Sequence, residues 1–338
     1  MIKIYLRKFL TSIASTIWSK LIAINLFLLN KFTKDKYFYN NSGGFGDSYT
    51  FFLETFFLIH KKKKYVPLSY TNYQKSIIDF LFSKRKNIFF SIPKFIPIYQ
   101  TISKIKKSIF FKPYNNVSFY SAGTQDLKIL NNNLTKNLLE QKLLKSKISK
   151  NILFLKNEIY ICMHIKYYNN NVNDLKGSNA RQTTNFEKVF FLINFFLKHK
   201  IKILILGNKY DKSIPIIKKK CFTNHSNTIF YFQDLTDEYS FADQVFITKH
   251  SKGYVGSGAG MADLFYFLKK KSICFDTYYD KKVENIFKKK YRKYLYKKIK
   301  MRKNVNILKE SSLTLKTKYK IYETSKKQLL KVVKNFFI

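Results

Sequence analysis

Two short stretches hold residue types and spacings that could do chemistry. The first is "NNSGGFGDSYTFFLETFFLIH", Asn40–His60. Gly43, Gly44 and Gly46 crowd together there, and Asp47 follows at once. Either a turn needs glycine at this point, or a loop lets a ligand approach the backbone beside a working carboxylate. The second is "YVGSGAGMADL", Tyr254–Leu264. A strand runs into Gly256-Ser257-Gly258-Ala259-Gly260, and a helix follows directly. A helix start of this kind offers N–H groups and partial positive charge to a phosphate. Ser257 is placed to cap the helix or to bond a phosphate oxygen. The competing reading is a tight turn with close helix–sheet packing, although so long a run of small residues exceeds what packing needs.

Cations supply the complement. "CMHIKYY" puts His164 and Lys166 two apart, on one side of a strand near its end, where they could contact a diphosphate. A lone, satisfied histidine at a core edge is the alternative. Arg181, in "GSNARQTTNFEKVF", is the sole arginine between Arg85 and Arg292. In a lysine-rich chain, an arginine suits bidentate phosphate binding, for which lysine has no fork. An ordinary surface arginine is the alternative. Gly207, which halts a strand, is placed with the same group.

Missing motifs narrow the chemistry further. There is no GxxxxGK[ST], and the later glycine string has GxGxG rather than GxGxxG, so a nicotinamide fingerprint is weak. No DxD-type acidic pair sits in a loop, which leaves no strong divalent-metal site. Gly256-Ser257-Gly258 lacks the second spacer of a nucleophile elbow. Cys162, Cys221 and Cys274 are scattered, which argues against a structural zinc site and fits a reducing cytoplasm.

These residues need elements to hold them. Strand candidates at Lys36–Asn40, Lys64–Tyr70 and Asn87–Ile92 alternate with helices at Ser48–Ile59 and Ile77–Ser83. After a helix-bearing connection the alternation restarts. Strands are expected at Glu158–Ile165, Ile201–Leu206, Thr228–Gln233, Gly253–Ser257 and Ser272–Thr277. Helices are expected at Phe186–His199, from Asp237–Glu238 and at Ala259–Leu268. This alternation predicts α/β folding with parallel sheets covered by helices. The length of 338 residues suggests two domains. The reading is an N-terminal helix over 1–34, an α/β unit over 35–120, a connection over 121–157, a second α/β unit over 158–280, and a basic helical tail over 281–338.

The net charge is +44, with 64 Lys and Arg against 20 Asp and Glu. Only five of the basic residues are arginine, and the chain is crowded with Asn, Ile, Phe and Tyr, the other residues of A/T-rich codons. A biased genome therefore explains the lysines, and nucleic acid is not an expected partner. Attraction to an anionic membrane survives, since it needs only positive charge near a surface. The N-terminal stretch has about nine uninterrupted apolar residues from Leu21, short of the roughly 20 that span a bilayer. It reads as an amphipathic helix in the membrane interface or as an extra helix packed on the first unit.

Taken in order along the chain, these motifs resemble the glycosyltransferases of GT-B fold. "GGFGD" resembles the N-terminal glycine loop of the heptosyltransferase-like group, and "SGAGMADL" its C-terminal donor loop, with Met261 where a histidine is usual. "MHIK" and "SNARQTTNFEKV" resemble bacterial surface-carbohydrate and fucosyltransferase-like enzymes, with Lys166 where an arginine is usual. The resemblance covers about Tyr37–Tyr279. It implies two facing Rossmann-like domains and a nucleotide-sugar donor, with no separate cofactor and no metal. The acceptor would be a glycan or a lipid-linked molecule of surface polysaccharide or lipopolysaccharide assembly, met at the cytoplasmic membrane face. Asp47 would be the base, with Gly43, Gly44 and Gly46 on the acceptor side. His164, Lys166, Arg181, Gly207, Ser257, Gly258, Ala259 and Gly260 would serve the donor. The rival readings are a non-catalytic binder of nucleic acid or anionic surfaces and a nucleotide-dependent oxidoreductase.

Overall fold

The computed structural model describes residues 2–32, 36–39, 45–59, 65–82, 88–89, 133–167, 183, 185–208, 211–221, 227–237, 239–277, 290–296, 298–301, 304–307 and 320–338. The chain divides into two units, Met1–Asn132 and Asn133–Ile338.

In the first unit, helix α1 (Ile2–Phe32) precedes β1 (Lys36–Tyr39), α2 (Phe45–Ile59), β2 (Tyr65–Ser69), α3 (Asn72–Leu81) and β3 (Ile88–Phe89). The strands pair in parallel in the order β1-β2-β3, with Tyr37 opposite Val66 and Leu68 opposite Ile88. Parallel pairing requires crossovers, and α2 and α3 lie between the strands in sequence. They bury Phe51, Phe52 and Leu53 from one helix and Ile77, Ile78 and Leu81 from the other. α3 starts at Asn72 rather than Ile77 because its N-terminus is capped from both sides. Thr71 accepts the Gln74 N–H at 3.1 Å, and Gln74 Oε1 accepts the Tyr70 N–H at 2.8 Å. α2 starts at Phe45 rather than Ser48, so Gly46 and Asp47 lie in its first turn and not in a preceding loop. First-turn N–H groups have no intrahelical partner to lose, so glycine and aspartate are tolerated there.

The second unit opens with α4 (Asn133–Leu144) and a 3-10 helix (Lys150–Asn157). Then come β4 (Tyr160–His164), α5 (Glu187–Lys198), β5 (Lys202–Ile205), α6 (Ser213–Cys221), β6 (Ile229–Tyr231) and the short α7 (Phe232–Leu235). They are followed by α8 (Phe241–His250), β7 (Gly253–Ser257), α9 (Gly260–Phe267), β8 (Lys271–Thr277) and β9 (Arg292–Tyr296). Six strands form one parallel sheet in the order β6-β5-β4-β7-β8-β9. Numbered from β4, this is the 3-2-1-4-5-6 order of a doubly wound sheet. Its central strands β4, β5 and β7 are buried along nearly all of their length, as expected where both faces of a parallel sheet are covered. Ile161, Met163, Ile203, Ile205, Val255 and Phe275 share a core with Val189, Leu192 and Phe196 of α5. All three cysteines are free and buried. α8 starts at Phe241, behind a Ser240 cap that accepts the Asp243 N–H, and not at Asp237.

The tail departs most from expectation. Among its described residues, helix is confined to α10 (Lys326–Phe337), capped by Ser325. Before it, β9 adds an edge to the main sheet, and β10 (Lys298–Met301), β11 (Asn304–Ile307) and β12 (Lys320–Tyr322) form an antiparallel sheet in the order β11-β10-β12. "KIKM" in β10 alternates charge and apolarity with period two, which is a strand pattern that the lysine content disguises. A buried ionic network anchors the chain just before α10. Asp276 has φ +52° beside a register shift between Phe275 and Thr277. Its carboxylate accepts the Thr324 N–H at 2.8 Å and the Thr183 hydroxyl at 2.9 Å. It also pairs with the Lys188 ammonium, which reaches Glu323 at 2.5 Å.

Candidate ligand site at the strand-order switch

β4 and β7 are neighbours, but the chain leaves them toward opposite halves of the sheet. At such a switch point the crossovers diverge, and a crevice opens beyond the carboxyl ends of the strands. His164 ends β4 and Ser257 ends β7, with His164 in register with Gly256. A Cβ at Gly256 would lie 2.2 Å from the His164 carbonyl oxygen, so glycine is what lets the two strands meet. Past the strand ends, the Lys166 N–H donates to Ser257 Oγ at 2.9 Å, and the Tyr254 hydroxyl donates to the Ser257 carbonyl at 2.7 Å. Ser257 is fully buried, and its hydroxyl joins the two strand ends. It does not cap α9. Ala259 holds that position and makes no side-chain cap bond of its own.

The histidine is held from the next strand over. His164 Nε2 lies 3.0 Å from Asp211 Oδ2, with side chains 14% and 13% exposed. Asp211 Oδ1 accepts both the N–H and the hydroxyl of Ser213, at 3.1 and 2.8 Å, where α6 begins. Gly207, past the end of β5, has φ +144°, and a Cβ there would meet Asp211 Oδ2 at 3.0 Å. Glycine thus serves twice, by adopting the backbone angle and by clearing room for the carboxylate. Burial alone would raise the Asp211 pKa. The hydrogen bond and charge of His164, then the two bonds from Ser213, outweigh burial and hold it below its ordinary value. His164 Nδ1 is buried and makes no hydrogen bond. The carboxylate at Nε2 fixes the orientation of the imidazole ring. Asp211 is absent from the sequence candidates, though an acid two residues before the serine that opens a helix was a readable signal.

The expected donor residues come together in part. His164, Gly207, Ser257, Gly258, Ala259 and Gly260 lie at one edge of one sheet, joined by Asp211. Lys166 lies beyond the end of β4 rather than on its face. Its carbonyl accepts the Thr183 N–H at 2.9 Å. Arg181 lies outside the described residues, as do Gly43 and Gly44. Gly46 and Asp47 are described only as backbone of α2. Arg292 on β9 fixes the glycine-loop helix from behind. Its Nη1 lies 2.5 Å from Asp263 Oδ1, its Nη2 donates to the Ala262 carbonyl, and its Nε donates to Ser272 Oγ at 3.2 Å. Among the described residues, no group of three or more His, Cys, Asp or Glu is arranged to hold a metal ion.

No protein-family model and no curated protein matches the chain. Solved structures do. An E. coli heptosyltransferase WaaC with ADP is 13% identical, covering 73% of this chain and 64% of that one, at a TM-score of 0.32. The UDP-GlcNAc 2-epimerase from Methanocaldococcus jannaschii is also 13% identical, covering 88% and 84%, at a TM-score of 0.35. The E. coli ADP-heptose lipopolysaccharide heptosyltransferase II is 8% identical, covering 67% and 64%, at 0.29. The chain therefore spans a little under two thirds of the heptosyltransferases that it matches. At these scores no residue role is carried over from any of them.

Proposed function

We propose that this chain is a glycosyltransferase that takes a sugar from a nucleotide-sugar, with the donor diphosphate held at the β4–β7 switch point. One observation carries the reading. A glycine loop opening a helix, a carboxylate-held histidine and Lys166 all converge on the carboxyl edge of a doubly wound sheet. Strand order alone would suit a dinucleotide cofactor equally. However, the dinucleotide fingerprint belongs after the first strand of the order, and here that position is His164-Ile165-Lys166, while the glycines follow β7.

In the proposed reaction, Asp47 takes the proton of an acceptor hydroxyl, whose oxygen attacks the anomeric carbon. The bond from that carbon to the diphosphate oxygen breaks, and the diphosphate leaves with the electron pair. Lys166, Arg181 and the start of α9 stabilise its growing charge. A single displacement of this kind inverts the anomeric centre. The acceptor is a glycan or lipid-linked molecule, and neither a cofactor nor a metal takes part. Support comes from the motif order along the chain and from the clustering of the donor-side residues.

The test is a thermal-shift screen of UDP-, GDP-, CMP- and ADP-sugars. A ligand that binds only the folded state raises the melting point, by an amount that grows with its concentration over Kd. One nucleotide family is expected to raise it, and His164→Ala to abolish the rise. A response to nicotinamide dinucleotides alone would overturn the reading.

A further inference from the structure

Helix α1 buries a narrow face and leaves an apolar stripe exposed. Ser15, Ser19 and Ile22 are buried, whereas Leu10, Ile13, Ile17, Leu21, Ile24 and Leu28 are each 42–55% exposed. The spacing of those six, in threes and fours, confines them to about 80° of the helix circumference and about 27 Å of its length. Bare apolar stripes of this extent mark contact surfaces. No helix among the described residues is long and apolar enough to cross a membrane, so the stripe suits a helix lying in the plane of one.

Charge selects the occupant. Residues 1–34 contain Lys3, Arg7, Lys8, Lys20, Lys31 and Lys34 and no acid. Lys20 is exposed beside the stripe, where its stem can lie along apolar surface with its ammonium in the headgroups. A second copy of the chain would bring another net charge of +44 against the first and offer no flanking acids for paired helices. We propose that α1 seats this stripe in the headgroup interface of an anionic bilayer, independently of the activity assigned above.

The test uses the full chain with extruded phosphatidylglycerol/phosphatidylcholine vesicles, against vesicles of phosphatidylcholine alone. Trp18, the chain's single tryptophan, reports from within α1. Anionic vesicles should blue-shift its emission and shield it from an aqueous quencher, and pure phosphatidylcholine should do so far less. The double variant Ile17→Ser/Leu21→Ser keeps every charge and should lose co-sedimentation by about ten-fold or more, with an unchanged melting point. Unchanged co-sedimentation of that variant, or an unshifted Trp18 in the wild type, would overturn the proposal in favour of binding by surface lysines. So would a wild-type dimer that the variant dissolves and that ignores vesicles, which would make the stripe a seam between copies.

Discussion

His164 and Asp211 work as a pair whose geometry depends on a third residue that has no side chain. Replacing Gly207 by alanine puts a methyl 3.0 Å from both Asp211 Oδ2 and Ile214 Cδ1, at φ +144°. The carboxylate must move, so Gly207→Ala is expected to cost about 1–3 kcal/mol in denaturant unfolding and to weaken nucleotide-sugar binding together with it. Asp211→Asn separates these effects. The folded-state pKa of Asp211 lies below its unfolded value near 3.9, so its stabilisation is present above that pH and is lost as pH falls through the folded value. The variant should therefore be less stable than wild type by about 1–2 kcal/mol at neutral pH, and the gap should close in acid. Unfolding curves at pH 7 and pH 3 measure both. Asp47 is argued on different ground, since it stands on sequence order and on its place in the first turn of α2. If it is the base, Asp47→Asn should lower turnover by about 10²–10⁴-fold and leave donor affinity within a few-fold. Near-normal turnover would move the role elsewhere.

At the scale of elements, Lys188 carries the sharpest expectation. It is nearly inaccessible and faces two carboxylates, Asp276 and Glu323, that bring α5, β8 and the segment before α10 together. Lys188→Met leaves both carboxylates without their cation and should cost about 3–5 kcal/mol at neutral pH. Burial first, then Glu323, raise the Asp276 pKa in the folded chain against the pull of Lys188. A raised carboxylate is best tolerated below its unfolded value near 3.9 and becomes costly as pH rises through the folded value. The defect should thus be largest at neutral pH and smallest in acid, as measured by denaturant midpoints. The elements themselves were largely legible beforehand. β4, β5, β7 and β8 are apolar runs stopped by glycine or polar residues, and each was placed within two residues. The start of α3 was missed because its signal is the Thr71–Gln74 cap and not apolar periodicity. The strands of the tail were missed because the lysine content disguises the period-two alternation of segments such as "KIKM". The pairings of Asp211 and Arg292 were overlooked for a different reason. Their partners, His164 and Asp263, are 47 and 29 residues away, and no local pattern records such a distance.

At the scale of the molecule, the two units divide the proposed labour. Every described residue assigned to the donor lies in Asn133–Ile338, as does the doubly wound sheet that sets the switch point. The first unit holds α1 and Asp47. The second unit has its own apolar core, and α10 closes it, with Leu329, Val333, Phe336 and Phe337 in the same cluster as the sheet. A unit whose described core residues all lie within 133–338 is expected to fold on its own. A fragment over 133–338 is therefore expected to unfold in one cooperative transition and to show the melting-point rise of the full chain with the same nucleotide-sugar. It should transfer no sugar, having lost Asp47, and it should ignore anionic vesicles, having lost α1. Vesicle binding by the fragment equal to that of the full chain would assign membrane attraction to the lysines spread over the second unit. A fragment that folds but no longer responds to any nucleotide would place donor contacts in the first unit and so break the division of labour argued from the sheet.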